Sequence, residues 1–142
     1  MTYTSLDRLA RRFGSTMLVQ LTDRGAVATG VVDVATIDQA LADTDAVVDA
    51  SLGVRYRLPL AAVPPLVADI ALSIAIYKLH VVRPDEKIER DYDQALKDLR
   101  ELAAGTKKLD VAGIEPTTSD LGGVVTSDRE RMFTNESLRG FI

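Results

Sequence analysis

One apolar stretch, VPPLVADIALSIAIYKLHV at positions 63–81, constrains the fold of this chain more than any other feature. Pro64 and Pro65 suit a helix start, because the first N–H groups of a helix have no partner within it. Asp69, Ser73 and Tyr77 recur every four positions, so these polar residues form one narrow line on a mostly apolar rod. The stretch is too short, and too polar at Asp69 and Lys78, to span a bilayer. It therefore predicts a buried central helix with other helices packed around it.

The composition limits the chemistry that the chain can perform. Its 142 residues carry a formal net charge of −4, one histidine and no cysteine. Disulfides, thiol catalysis and cysteine or multi-histidine metal sites are therefore excluded. The acidic balance gives no overall basic footprint for nucleic acid. The first residues lack the apolar core of a signal peptide, so we expect a protein of the cytoplasm.

The remaining pattern predicts an all-α fold, a small bundle of about five helices around the buried central one. Few aromatic residues and many Ala and Leu favour helix over sheet. The loop at 23–32 carries Gly25 and Gly30 at predicted turns, with a short β-piece at Val31–Val32. The predicted outer helices are Thr4–Phe13 with Thr4 as its cap, a second one capped by Ser15, Val34–Tyr56 capped by Asp33, and one from Pro84 closed by Gly105.

Three carboxylates of the third predicted helix form the first candidate surface. Asp38, Asp45 and Asp49 fall within a narrow arc at about 100° per residue. Three acids on one face could hold Mg²⁺, yet like charges stacked along a helix also destabilise it unless other groups neutralise them. We expect arginines of a neighbouring helix or subunit to do so. The three residues are a candidate subunit or lumen face rather than a catalytic site.

Three arginines of the first predicted helix form the second candidate surface. They could contact phosphates, although such a cluster is more often a solvated face. Two single residues have structural interpretations: His80 caps the central helix at its negative end, and Asp69 is paired or lies at a subunit contact. The arginines are Arg8, Arg11 and Arg12.

The last part of the chain, 106–142, loses the helical periodicity. Compact domains rarely carry so long a segment without structure unless it is functional or disordered. We therefore divide the chain into a helical domain, 1–105, and an extended C-terminal arm that docks on another protein, with a disordered tail as the alternative. Strand addition would suit some of this segment. Its apolar side chains are Val124, Val125, Met132, Phe133, Leu138, Phe141 and Ile142.

Several short motifs, taken in order, resemble the Mu-like phage family of small head–tail adaptor, or head-completion, proteins. Two features depart from that pattern. The loop at 23–33 lacks an acid-and-glycine run, and Ser73 stands where an acid is frequent. The motifs are RFG at 12–14, QLTD at 20–23, RYRLPL at 55–60, VPPL at 63–66, IAIYKLH at 74–80, DYDQAL…LAAG at 91–105 and FTNESLRGF at 133–141.

The resemblance implies a structural protein of the virion, without enzymatic activity or cofactor, that is made in the host cytoplasm. Such adaptors form a ring, commonly of twelve copies, between the portal and a neck or tail protein, either a stopper or a tail terminator. Genomic DNA passes non-specifically through the lumen, and no membrane is involved. The arm would dock on the portal or a neighbouring subunit, with Phe133, Leu138, Arg139 and Phe141 as anchors. The alternatives are a small helical regulatory protein that binds nucleic acid or protein and, less favoured, a magnesium enzyme.

Overall fold

Five helices make up the structure, a computed structural model that describes residues 1–109 and Ile114. Those residues contain no strand, so the prediction of an all-α bundle is confirmed. Within this part of the chain, no helix has both the length and the apolar character needed to cross a bilayer. The helices are α1 (Leu6–Phe13), α2 (Ser15–Thr22), α3 (Val34–Leu52), α4 (Pro65–Leu79) and α5 (Glu86–Ala104).

Helix α4 is the buried central helix that the sequence predicts. Ten of its 15 residues are buried, and α1, α3 and α5 all pack against it. Even Ser73 is buried, and its hydroxyl donates to the Asp69 carbonyl at 3.1 Å. A helix apolar around most of its circumference has this position because every side of it must leave water.

The buried side chains form two clusters, and α4 contributes to both. The first lies at the α4 N-terminal half and includes the ends of α3 and α5. The second lies at the α4 C-terminal half and includes α1, α2 and the start of α3. The first core cluster includes Tyr3, Val48, Leu52, Tyr56, Val67, Ile74, Leu99, Leu102 and Leu109. The second includes Leu9, Leu18, Ile37, Leu72, Ile76, Leu79 and Ile88.

Two of the predicted N-caps are wrong and one is confirmed. Thr4 is buried, and the next residue, Ser5, caps α1 by accepting from the Arg8 N–H. Ser15 is already inside α2, whose cap residue is Gly14. Asp33 caps α3 as predicted, because its carboxylate accepts from the Ala35 N–H at 3.1 Å.

The long outer helices are shorter than predicted. Helix α3 ends at Leu52 rather than Tyr56, since the chain turns after Gly53 and folds the Tyr56 ring back into the first core cluster. Helix α5 begins at Glu86 rather than Pro84, because Asp85 between them has an extended backbone. In both cases the residues predicted as helical lie outside the helix: Tyr56 packs in the first core cluster, and Pro84 and Asp85 belong to the connection before α5.

The predicted ends of α4 and α5 are confirmed. His80 follows α4, and its Nδ1 lies 2.8 Å from the Ile76 carbonyl oxygen. Gly105 ends α5 with φ 77°, a left-handed conformation that favours glycine. A Cβ at this position would lie 2.9 Å from Cζ of Arg55, so any other residue here would also have to displace that guanidinium.

Candidate docking surfaces

The N-terminal segment binds two of the three candidate carboxylates on α3. The Tyr3 N–H donates to Asp45 at 3.1 Å, and its hydroxyl donates to Asp49. The Met1 ammonium lies 3.1 Å from Asp49 as well. Asp38 is exposed and does not take part. The expected arginines are therefore not what neutralises Asp45 and Asp49 within this chain.

The environment of these contacts favours a protonated tyrosine. Burial, and then the hydrogen bond to Asp49, raise the pKa of Tyr3 well above its usual value. Burial also raises the pKa of Asp45, while the Tyr3 N–H opposes that shift. Tyr3 thus remains a hydrogen-bond donor throughout the neutral range. Among the described residues, no group of three or more acids or histidines is placed to hold a metal ion.

Tyr3→Phe should lower the free energy of unfolding by about 1–2 kcal/mol, because it removes a buried donor to a charged acceptor. Urea denaturation measures the loss. Tyr77→Phe is the matched control, since that ring is only half-buried, and we expect a change within about 0.5 kcal/mol. Equal losses in the two variants would show that the Tyr3 hydroxyl does not hold the segment.

The three α1 arginines do not form one site. Arg12 pairs with Asp69 of α4, which confirms the expected pairing of that acid. Arg11 pairs with Asp7 of the same helix at 2.8 Å, and both side chains remain largely exposed. Arg8 is also exposed. The outward face of α1 therefore keeps Arg8 and Arg11 accessible to a partner.

The loop between α2 and α3 is built around one carboxylate. Asp23 accepts from the Thr29 N–H and the Gly30 N–H at 2.8 Å each. These bonds, led by the one from Gly30, lower the pKa of Asp23. Arg24 donates to the carbonyl of Leu79, so the loop is also fastened to the end of α4. The sequence predicts a loop here but not the hydrogen bonds that order it.

Exposed valines lie in and around this loop, and they were not predicted from the sequence as a surface. The predicted β-piece is wrong, since Val31 is 66% exposed and lies in the loop. Two adjoining clefts, of about 370 and 470 Å³, share Arg24 and Thr36. Valines within a glycine-punctuated segment that is predicted to be a loop are the sequence signal that could have indicated this surface. The exposed valines of this end of the bundle are Val27, Val31, Val34, Val81 and Val82.

The chain remains on the helical body beyond the predicted boundary at 105. Lys107 pairs with Asp98 at 2.6 Å and Glu101 at 3.4 Å. Leu109 is 2% exposed within the first core cluster, and Ile114 packs against that cluster. The predicted docking residues lie outside the described part of the chain: Val124, Val125, Met132, Phe133, Leu138, Arg139, Phe141 and Ile142.

The sequence matches bacteriophage and prophage proteins over most of its length. The family model described as bacteriophage Mu, Gp36 matches residues 3–127. Gene product J of Escherichia phage Mu is 34% identical over 119 residues, which cover 84% of this chain and 82% of that protein. The Mu-like prophage FluMu protein gp36 of Haemophilus influenzae is 28% identical over 110 residues, 78% of each chain. The family match thus includes the whole helical body and continues into the segment that follows it.

Proposed function

The chain belongs to the bacteriophage Mu Gp36 family, and on this premise we propose that it is a head–tail adaptor of a phage particle. The observation that carries the proposal is the extent of the family match, which runs past the five-helix body to residue 127. A compact body followed by a segment with its own apolar side chains suits a protein that joins two others. The body supplies a fixed platform, and the segment supplies the attachment.

In this role, copies of the chain form a ring beneath the portal, commonly of twelve copies as the family resemblance implies. The ring joins the portal to a neck stopper or tail terminator at the head–tail interface of the virion, and it assembles in the host cytoplasm. Genomic DNA passes through the lumen. The net charge of −4 suits that passage, because an acidic wall gains nothing from counterion release and does not retain the duplex.

The proposed role requires neither catalysis nor a cofactor. The α3 acids, which a magnesium enzyme would need, support this reading. Asp45 and Asp49 are already engaged by the N-terminal segment, and Asp38 lies apart from those contacts. The Met1 ammonium, 3.1 Å from Asp49, would also repel a metal cation at that carboxylate.

A second candidate function, a helical nucleic-acid-binding regulator, is favoured by the exposed Arg8 and Arg11. Such a protein would shift a DNA duplex in a gel at near-physiological ionic strength, with a strong dependence on salt. The adaptor proposal predicts no such complex, since its contact with DNA is transient and non-specific.

Electron microscopy of the chain co-expressed with the portal protein of the same phage tests the adaptor proposal. We expect portal complexes with an added ring on one side. In a reconstruction of the particle neck, we expect density into which these five helices fit. The control is the portal expressed alone. Portal complexes that never acquire the chain, or a particle neck without density for it, would contradict the proposal.

A further inference from the structure

The outward face of α3 differs from an ordinary solvated helix face. Half of its eight exposed residues are alanines, and none is basic: Val34, Ala35, Asp38, Gln39, Ala42, Asp43, Ala46 and Ala50. The exposed face of α5, a helix of the same length, carries mostly charged side chains of both signs: Glu86, Lys87, Arg90, Asp93, Gln94, Lys97, Arg100 and Ala104. The exposed face of α5 is therefore typical of a solvated helix, whereas that of α3 lacks the charged side chains of both signs that such a face usually carries.

A face of this kind is suited to contact with another helix. Burying alanine costs no side-chain entropy, whereas ordering lysine, arginine or glutamate costs a great deal. Two exposed valines extend the face at the start of the helix: Val34 in its first turn, at 51% exposure, and Val31 in the loop just before it, at 66%. An apolar surface bordered by charges is typical of an interaction site.

The charges at its borders indicate which surface covers it. Asp38 and Asp43 are exposed on either side of the alanines, and residues 34–52 contain no lysine or arginine. The other two aspartates of α3, Asp45 and Asp49, are bound by the N-terminal segment. Residues 6–22 of the same chain have the opposite balance, three arginines and one aspartate. Arg8 and Arg11 on α1 are exposed. Complementary charges select partners and fix their register.

We infer that α3 of one copy binds α1 of a second copy, with Arg8 and Arg11 facing Asp38 and Asp43. The two surfaces differ, so every copy offers one of each, and the contact is head-to-tail. A head-to-tail contact repeats from copy to copy and closes into a ring when the rotation permits. The inference rests on the proposed function only in that the adaptor is a ring.

Charge reversal tests this contact in the full-length chain. Arg8→Glu with Arg11→Glu, or Asp38→Arg with Asp43→Arg, should weaken self-association by more than about tenfold, because like charges would then face each other. All four substitutions combined restore opposite charges and the original net charge, so association should return. Sedimentation of the free protein and microscopy of portal-bound rings measure the effect, and circular dichroism verifies the helices.

Lys87→Glu with Arg90→Glu on α5 is the matched control, since it makes the same change in net charge elsewhere and should leave association unchanged. Rings that form normally with either reversed pair, or that fail to return in the fourfold variant with its helices intact, would overturn this interface. The adaptor proposal would stand as long as the wild-type chain forms rings on the portal. A wild-type chain that remains monomeric both free and beside the portal would overturn both.

Discussion

A chain that ends at Arg131 should keep its helical body and lose its attachment to the portal. The deleted residues include Met132, Phe133, Phe141 and Ile142, the apolar side chains assigned to docking. Among the residues that the structure describes, both core clusters are formed between Tyr3 and Leu109, with Ile114 packed against the first, and the deletion leaves all of these in place. Apolar anchors of this kind carry much of the binding energy of an interface.

Circular dichroism and thermal unfolding would follow the body, and co-purification would follow attachment. The matched control is the triple variant Asn135→Ala, Glu136→Ala and Ser137→Ala, which alters polar residues of the same segment and should retain attachment. An unfolded truncation would show that the end of the chain belongs to the core. A truncation that still binds would place the docking site elsewhere.

Removing one side chain from the middle of α4 should destabilise the protein strongly. Ile74 and Ile76 are at most 1% exposed, and we expect Ile74→Ala or Ile76→Ala to cost about 2–5 kcal/mol each. The two residues belong to different core clusters, so their effects should be nearly additive. The double variant would then lose about 4–10 kcal/mol, which is comparable to the whole stability of a small domain.

Chemical denaturation of the two single variants and the double variant measures these losses. Val82→Ala is the control, because that side chain is 77% exposed and its loss should cost less than about 0.5 kcal/mol. If the double variant loses far less free energy of unfolding than the two single variants lose together, the two clusters relax together as one core.

The helical framework could be predicted from the sequence because its signals are local. The burial of α4 follows from an apolar run with a single polar line, and the ends at His80 and Gly105 follow from the known preferences of helix termini. The prediction of the α1 cap is wrong by one residue, Thr4 in place of Ser5, for a different reason. Several hydroxyl residues stand in a row there, and packing decides which of them is buried.

The candidate surfaces could be predicted only in part, because their contacts join distant parts of the chain. The position of Asp38, Asp45 and Asp49 on one helix face follows from periodicity. Periodicity does not show that Asp45 and Asp49 bind the N-terminal segment while Asp38 stays exposed. Tyr3 binds Asp45 from 42 residues away, and no pattern within a helix indicates that partner. The hydrogen bonds around Asp23 are short in range, yet the same residues fit many loops equally well.

The C-terminal end of α5 is protected against unwinding by tension on the C-terminal segment. Before a pull on residues beyond 114 can unwind this end, it must extract Leu109 from the first core cluster and break the ion pairs of Lys107 with Asp98 and Glu101 in α5 itself. If the chain connects two larger bodies, a force on the C-terminal segment would therefore break the contacts of Lys107 and Leu109 first. The five helices would keep their arrangement until those contacts are lost.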